Sequence, residues 1–265
     1  MNIMCFLTLN TFDRSKKYIF LEKLGIVIMK RVLITGSNSG IGLEFTKQYL
    51  ELGEYVIASC RKPESAYELR DMREHHAGRI IVPQLDVSEE DSRDKLFKNV
   101  SSFLDKLDIL INNAGIISGN LESSPPLGEL HNEDMTRVFL INSISPVYMT
   151  EKFLPLLKRS TNPKIINISS TSGSITKRSR GGGYSYNASK AALNMFTKNL
   201  ANDLRVYGII VVALYPGWVK TGFPYTENAP LMPEESVKGM IKVIDSLEMK
   251  DTGKFIDWQG NEQPW

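Results

Sequence analysis

From Arg31 onward the chain alternates short β-branched runs with longer stretches of helical periodicity, and that alternation admits one class of fold. The runs RVLIT (31–35), YVIASC (55–60), RIIVPQLDV (79–87), DILINNAG (108–115), KIINISS (164–170), IIVVALYP (209–216) and KFID (254–257) read as seven strands. Most are apolar on both faces, as strands covered by helices on each side must be. Between them, 41–52, 89–105, 133–158, 187–206 and 234–248 carry apolar residues at helical spacing. Strands that alternate with helices are joined by right-handed crossovers and so lie parallel. The expected fold is α/β: a doubly wound, parallel seven-stranded sheet with helices on both faces, in one domain at 30–265.

Residues 1–29 stand apart. They carry mixed charge, no small-residue cleavage site and no long apolar stretch behind a basic start, which makes them a poor signal peptide. The expectation is an extension outside the core fold; the alternative is an amphipathic arm docking through Phe12, Tyr18, Ile19 and Leu24. No apolar run reaches the ~18 residues of a membrane-spanning helix. Basic and acidic residues nearly cancel, 32 against 30, so no global field advertises nucleic acid or an anionic membrane. Two cysteines, Cys5 and Cys60, make no disulfide framework and suit a reducing compartment, so a cytoplasmic location is expected. The histidines His75, His76 and His131 lack ligand spacing, and no metal is assigned.

Three loops, 117–131, 173–183 and 222–233, follow carboxyl ends of strands, where open α/β sheets bind ligands. The first strand runs into TGSNSGIG (35–42), which opens a helix. Gly36, Gly40 and Gly42 let the chain turn tightly and bring backbone N–H groups to a dinucleotide pyrophosphate at the helix N-terminus, a Rossmann-type arrangement. At the end of the second strand stand Arg61 and Lys62, with no carboxylate before Glu64. A guanidinium there accommodates a 2′-phosphate, so Arg61 points to NADP(H). Asp86, beside Val87 at the end of the third strand, either meets the adenine amino group or caps the next helix, where Ser88 is an equal cap.

Tyr186 and Lys190 are one helical turn apart in YNASK. An ammonium beside a phenol favours phenolate and brings its pKa toward the working range of an acid–base group. Tyr184 has Ala188 in place of that lysine and is expected to line the pocket. Ser170, ending the fifth strand, is placed to hold a substrate carbonyl; Ser169 is its competitor, on the opposite face by strand alternation. Asn142 lies in an apolar helical run and needs a partner for its amide. Pro146, four residues on, frees the Asn142 carbonyl for a water that connects to Lys190.

Taken in order, TGSNSGIG, NNAG (112–115), Asn142, Ser170, YNASK and PGWVKT (216–221) resemble the short-chain dehydrogenase/reductase family across residues 30–265. Finer features (YNASKAALNM, YPGWVKT and TGKFIDWQGNEQPW) are similar to its subgroup of C-factor and sniffer-type carbonyl reductases. The resemblance implies a catalytic tetrad of Asn142, Ser170, Tyr186 and Lys190. It implies a cofactor cleft formed by Gly36, Ser39, Gly40, Ile41, Gly42, Arg61, Asp86, Val87, Asn113, Ala114, Gly115, Pro216, Gly217, Val219 and Thr221, together with Tyr186 and Lys190. Asn113 and Gly115 would also stabilise the sheet, and Thr221 would contact the nicotinamide carboxamide. NADPH is the implied cofactor and a small-molecule carbonyl compound the implied substrate. Helices near 133–158 and 187–206 pair between subunits in the family, which implies a homodimer or homotetramer. The alternative is a dinucleotide-binding signalling or sensor protein of the C-factor type. Two departures stand out. Ser170 precedes Tyr186 by 16 residues, a longer spacing than is usual, with KRSRGGG read as slack. Gly222, Phe223 and Pro224 replace the acidic residue, methionine and glycines of the subgroup. Tyr184, Trp218, Phe223 and Tyr225 are the expected apolar walls of the substrate pocket.

Overall fold

The structure, a computed structural model, describes residues 29–117, 125–223 and 226–265. The expectations placed on Cys5, the arm at 1–28, Pro224 and Tyr225 lie outside the described residues. Seven strands form one sheet: β1 (Arg31–Thr35), β2 (Tyr55–Ser59), β3 (Ile80–Ile81), β4 (Ile109–Asn112), β5 (Lys164–Ile168), β6 (Ile210–Tyr215) and β7 (Phe255–Asp257). Every pairing is parallel, in the order β3-β2-β1-β4-β5-β6-β7. The order reverses between β1 and β4, which opens a crevice at their carboxyl ends.

Two apolar layers cover the sheet. Strand alternation sends Val32, Ile34, Ile109, Ile111 and Ile166 to one face, where they meet Phe45, Tyr49 and Leu50 of α1 (Gly40–Glu51). Val237, Met240 and Ile244 of α7 (Pro233–Ser246) complete that layer. The alternate strand residues Leu33, Leu110, Ile165 and Val211 face the other way. There they pack on Leu96 and Val100 of α3 (Glu90–Ser101), Met149 and Phe153 of α5 (Ser145–Leu157), and Ala201 and Leu204 of α6 (Tyr184–Leu204).

Four boundaries differ from the sequence reading. The third strand contracts to two residues because Pro83 has no N–H for the ladder; pairing resumes as an isolated Cys60–Gln84 bridge. A helix α2 (Tyr67–His75) follows β2 without an apolar stripe to announce it, since only Leu69 is buried. The stretch 133–158 is α4 (Asn132–Phe139), a π-helical turn (Leu140–Ile144) and α5 in unbroken succession. Helix α6 begins at Tyr184, so Tyr186 lies inside its first turn and not just ahead of it.

Candidate active site

The phosphate turn is shaped by what cannot fit. A methyl on Gly42 would lie 2.5 Å from the Asn113 side-chain nitrogen and closer still to the Gly36 carbonyl oxygen. Asn113 uses that same nitrogen to donate to Thr35 O (2.9 Å) and Gly36 O (3.1 Å), which ties the turn to the end of β4. The Thr35 hydroxyl accepts from the backbone N–H groups of Asn113 and Ala114, both at 3.0 Å. Ser39, at the N-cap of α1, makes no side-chain cap, so the first-turn N–H groups of that helix face the crevice uncapped. Ile41 packs against the adjacent apolar layer. Arg61 is exposed just past β2, and its guanidinium has no partner among the described residues. These groups fit a phosphorylated dinucleotide: a backbone cradle that any Cβ would fill, a helix N-terminus and a free cation.

On the far side of the crevice, the segment 216–221 is fastened down. Pro216 O accepts from Ser236 Oγ at 2.6 Å, Val219 pairs with Leu231, and a methyl on Gly217 would meet the Leu231 side chain at 2.7 Å. Thr221 lies against the phosphate turn, its Cβ 3.1 Å from where a Gly40 methyl would stand. Asp86 turns its carboxylate onto its own loop, accepting from Ser88 N (3.0 Å) and Ser88 Oγ (2.6 Å). Neither residue is the N-cap of α3, a position held by Glu89, so the capping alternative is not realised. Val87 is buried in the apolar layer under α3.

The structure brings Asn142, Ser170, Tyr186 and Lys190 together at the carboxyl ends of β4 and β5. Ser170 Oγ accepts from Ser172 N at 3.1 Å, and its side chain lies near enough to the Tyr186 hydroxyl to oppose the rise of the phenol pKa. Ser169 points the other way and donates to Asn194 Oδ1 at 2.6 Å, which removes it as the competitor. Lys190 Nζ donates to Ile168 O at 2.8 Å and sits 5.7 Å from the Tyr186 ring centre, with Gly115 alongside. Asn142 lies in the π turn with its amide satisfied: Oδ1 accepts from Ile116 N (2.8 Å), and Nδ2 donates to Ile116 O (2.8 Å) and Ser189 Oγ (3.1 Å). It thereby locks the strand end carrying Ala114 and Gly115 to the second turn of α6.

Electrostatics correct one expectation. Burial pushes the Tyr186 phenol up to about 12, against the opposing hydrogen bond from Ser170. Lys190 does not bring it down. The same desolvation lowers the lysine to about 8, and its ammonium is directed at the Ile168 carbonyl. The phenol is therefore a protonated acid at neutral pH, not an incipient phenolate. The Tyr186 ring faces Phe223 at 6.3 Å between centres, inside the range of aromatic pairing. Tyr184 and Trp218 are exposed.

The glycines of KRSRGGG, which lie in the added spacing between Ser170 and Tyr186, take defined conformations. Gly182 and Gly183 take left-handed φ of 76° and 64°, and Arg178 clasps the carbonyls of Gly181 (2.5 Å) and Gly182 (2.9 Å). Other positions escaped the sequence reading. Gly173 lies so close to α6 that a methyl would stand 2.6 Å from the Lys190 carbonyl carbon. A buried polar chain runs from Asn112 to Asn167 (2.8 Å) and on to Thr197 (2.9 Å), linking β4, β5 and α6. Polar residues within apolar strands were the available signal. Among the described residues no group of three or more His, Cys, Asp or Glu gathers as metal ligands, and no helix is long and apolar enough to cross a membrane.

The sequence profile of the short chain dehydrogenase family matches residues 30–230. The C-signal protein of Myxococcus xanthus is 42% identical over 161 residues, covering 60% of this chain and 93% of that protein. The crystal structure of an NADPH-bound carbonyl reductase from chicken fatty liver superposes with a TM-score of 0.84 at 36% identity, covering 90% of this chain and 100% of that one. The carbonyl reductase Sniffer of Drosophila melanogaster superposes with a TM-score of 0.84 at 33% identity, with the same coverage.

Proposed function

The chain belongs to the short-chain dehydrogenase family and is an oxidoreductase, and we propose that it reduces an aldehyde or ketone to the alcohol with NADPH. The observation that carries this reading is the convergence of Tyr186, Ser170 and Lys190 at the sheet edge, with Lys190 Nζ 5.7 Å from the Tyr186 ring centre and one turn along the same helix. When bound, NADPH supplies the hydride that reaches the carbonyl carbon. The chain's own residues do the rest. Gly36, Gly40 and Gly42 with the α1 N-terminus hold the pyrophosphate, and Arg61 takes the 2′-phosphate. Asp86 and the cleft residues Val87, Asn113, Ala114, Gly115, Pro216, Gly217, Val219 and Thr221 frame the remainder.

In the reducing direction Ser170 donates to the carbonyl oxygen and polarises it. Tyr186, protonated up to about pH 12 in its desolvated setting, delivers a proton to that oxygen as negative charge develops there. Lys190 sets a positive charge beside the phenol, and the Asn142 carbonyl supports a water that returns the proton. Changing Tyr186 to Phe removes the proton donor while leaving the ring. Carbonyl-dependent NADPH oxidation should fall by a factor of about 10²–10⁴ with little change in NADPH affinity. Retention of full turnover would exclude Tyr186 as the acid.

A second reading, a dinucleotide-binding signalling protein, is favoured by the likeness to C-signal. The two readings part on one comparison. A signalling role that survives in the Tyr186→Phe protein, with no turnover in the parent on a broad panel of carbonyls, would support the binder.

A further inference from the structure

The turn that carries Ser170 is held from a direction the reaction does not require. The backbone carbonyl of Trp265 accepts from Ser174 Oγ at 2.9 Å and from Thr176 N at 3.0 Å. Ser174 Oγ in turn accepts from Lys177 N at 3.2 Å, and Lys177 Nζ donates to Gln263 Oε1 at 2.6 Å. Three bonds thus fasten the first half of the long, basic loop to the segment after β7, and the Lys177–Ser174 bond braces the loop itself. That segment is itself anchored. The Trp265 ring stacks on Phe255 at 5.6 Å between centres, and Phe255 is fully buried in β7. Gln263 N donates to Phe255 O at 2.7 Å, and its side-chain amide donates to Asp257 Oδ2 at 2.9 Å.

On its other side the Ser170 turn rests on α6. Gly173 packs against the Lys190 backbone, and Asn194 Nδ2 donates to Gly173 O at 3.3 Å. The turn therefore sits between the helix that carries Tyr186 and a clamp built by Gln263 and Trp265. Among the described residues, the hydrogen bonds that tie residues 171–177 to other elements come from α6 and from this clamp, and Ser170 caps the turn with its own side chain.

We infer that Trp265 and Gln263 are positioning residues: they hold the Ser170 turn at the distance from Tyr186 at which both reach one carbonyl oxygen. This rests on the proposed reductase function. Neither residue touches the phosphate turn, so the clamp acts on the carbonyl half-site and not on NADPH.

The test compares Trp265→Ala, Trp265→Phe and Ser174→Ala with the parent. Trp265→Ala removes the stacked ring that fixes the accepting carbonyl. Its carbonyl kcat/KM should fall roughly tenfold to a hundredfold, as misplacement of a reacting group does. The NADPH Kd should stay within about twofold, and Trp265→Phe should restore most of the loss. Ser174→Ala leaves β7 and its aromatic pair intact and should show a smaller loss of the same kind, which keeps the test open if Trp265→Ala does not fold. An unchanged carbonyl kcat/KM in Trp265→Ala, or in Ser174→Ala where only that variant folds, would overturn the inference. So would a loss mirrored equally in NADPH binding. Trypsin offers a readout independent of catalysis: cleavage after Lys177, Arg178 and Arg180 should accelerate in Trp265→Ala and Ser174→Ala, and unchanged cleavage would show that no clamp exists. A parent inactive on all carbonyls would overturn the reductase reading and the positioning role with it, leaving trypsin to decide the clamp alone.

Discussion

Tyr186 begins as a weak acid and its surroundings make it weaker, which suits a group that must give a proton to a developing alkoxide and keep it otherwise. Since the phenol remains protonated to about 12, the group beside Tyr186 that titrates near pH 8 is Lys190, whose ammonium is lost as pH rises through its lowered value of about 8. A pH profile of carbonyl kcat/KM should therefore fall above about pH 8. Lys190→Arg, charged throughout, should abolish that limb even if its plateau is lower; an unmoved limb would detach it from Lys190. At the other end of the crevice Arg61 is exposed, and its guanidinium has no partner among the described residues. Arg61→Ala should weaken NADPH about 10- to 100-fold, as loss of a charged hydrogen bond does, and leave NADH nearly unchanged. Titration of both cofactors by fluorescence checks it. The pairing of Tyr186 with Lys190 was legible in the sequence because it lies within one helical turn. The direction of the phenol's shift was not, because burial dominates it and the groups that meet Tyr186, among them Ser170, Tyr215 and Phe223, are remote in the chain.

Among elements, the contact between the Ser170 turn and α6 governs how the two halves of the acid–base pair meet. A methyl at position 173 would stand 2.6 Å from the Lys190 carbonyl carbon and 2.8 Å from Ala191 N, and backbone atoms in mid-helix yield little. Gly173→Ala should cost about 1–3 kcal/mol of stability and lower carbonyl kcat/KM, read by urea unfolding and by steady-state kinetics. The polar chain from Asn112 through Asn167 to Thr197 sets the register of α6 on the sheet from within an apolar layer. Asn167→Leu takes one hydrogen bond from each of two buried partners, which keep Pro146 O and Leu193 O, and should cost about 1–3 kcal/mol, seen as a lower urea midpoint at an unchanged m value. Helix α1 and the strands were legible from periodicity. Helix α2 and the contraction of β3 were not, since a charged surface helix has no stripe and a single proline undoes a ladder that apolar composition suggests.

Across the molecule, two buried lysines shape the response to pH. Lys164 at the start of β5 donates to Ile244 O (2.5 Å) and Asp245 O (3.2 Å), closing the last turn of α7, and burial lowers it to about 8 as it does Lys190. The unfolded chain keeps both protons to about 10.5, so between about pH 8 and 10 the unfolded state binds more protons and stability rises with pH. Above pH 10 the raised phenol of Tyr186 reverses the trend, because the unfolded tyrosine ionises first. Calorimetric Tm values from pH 7.5 to 9.5 should climb, and Lys164→Met should flatten the slope by about half, the share of one of two equivalent lysines. A slope unchanged in that variant would remove Lys164 from the account. The sequence alone determined the layered parallel sheet, the glycine turn at its edge and the spacing of Tyr186 and Lys190, because each is written in a periodicity or a separation of a few residues. Which groups are desolvated, that the phenol is held protonated, and that Trp265 reaches back to the Ser170 turn were decided only by the tertiary structure. Burial and hydrogen-bond partnership sum over residues far apart in the chain, and no local pattern carries that sum.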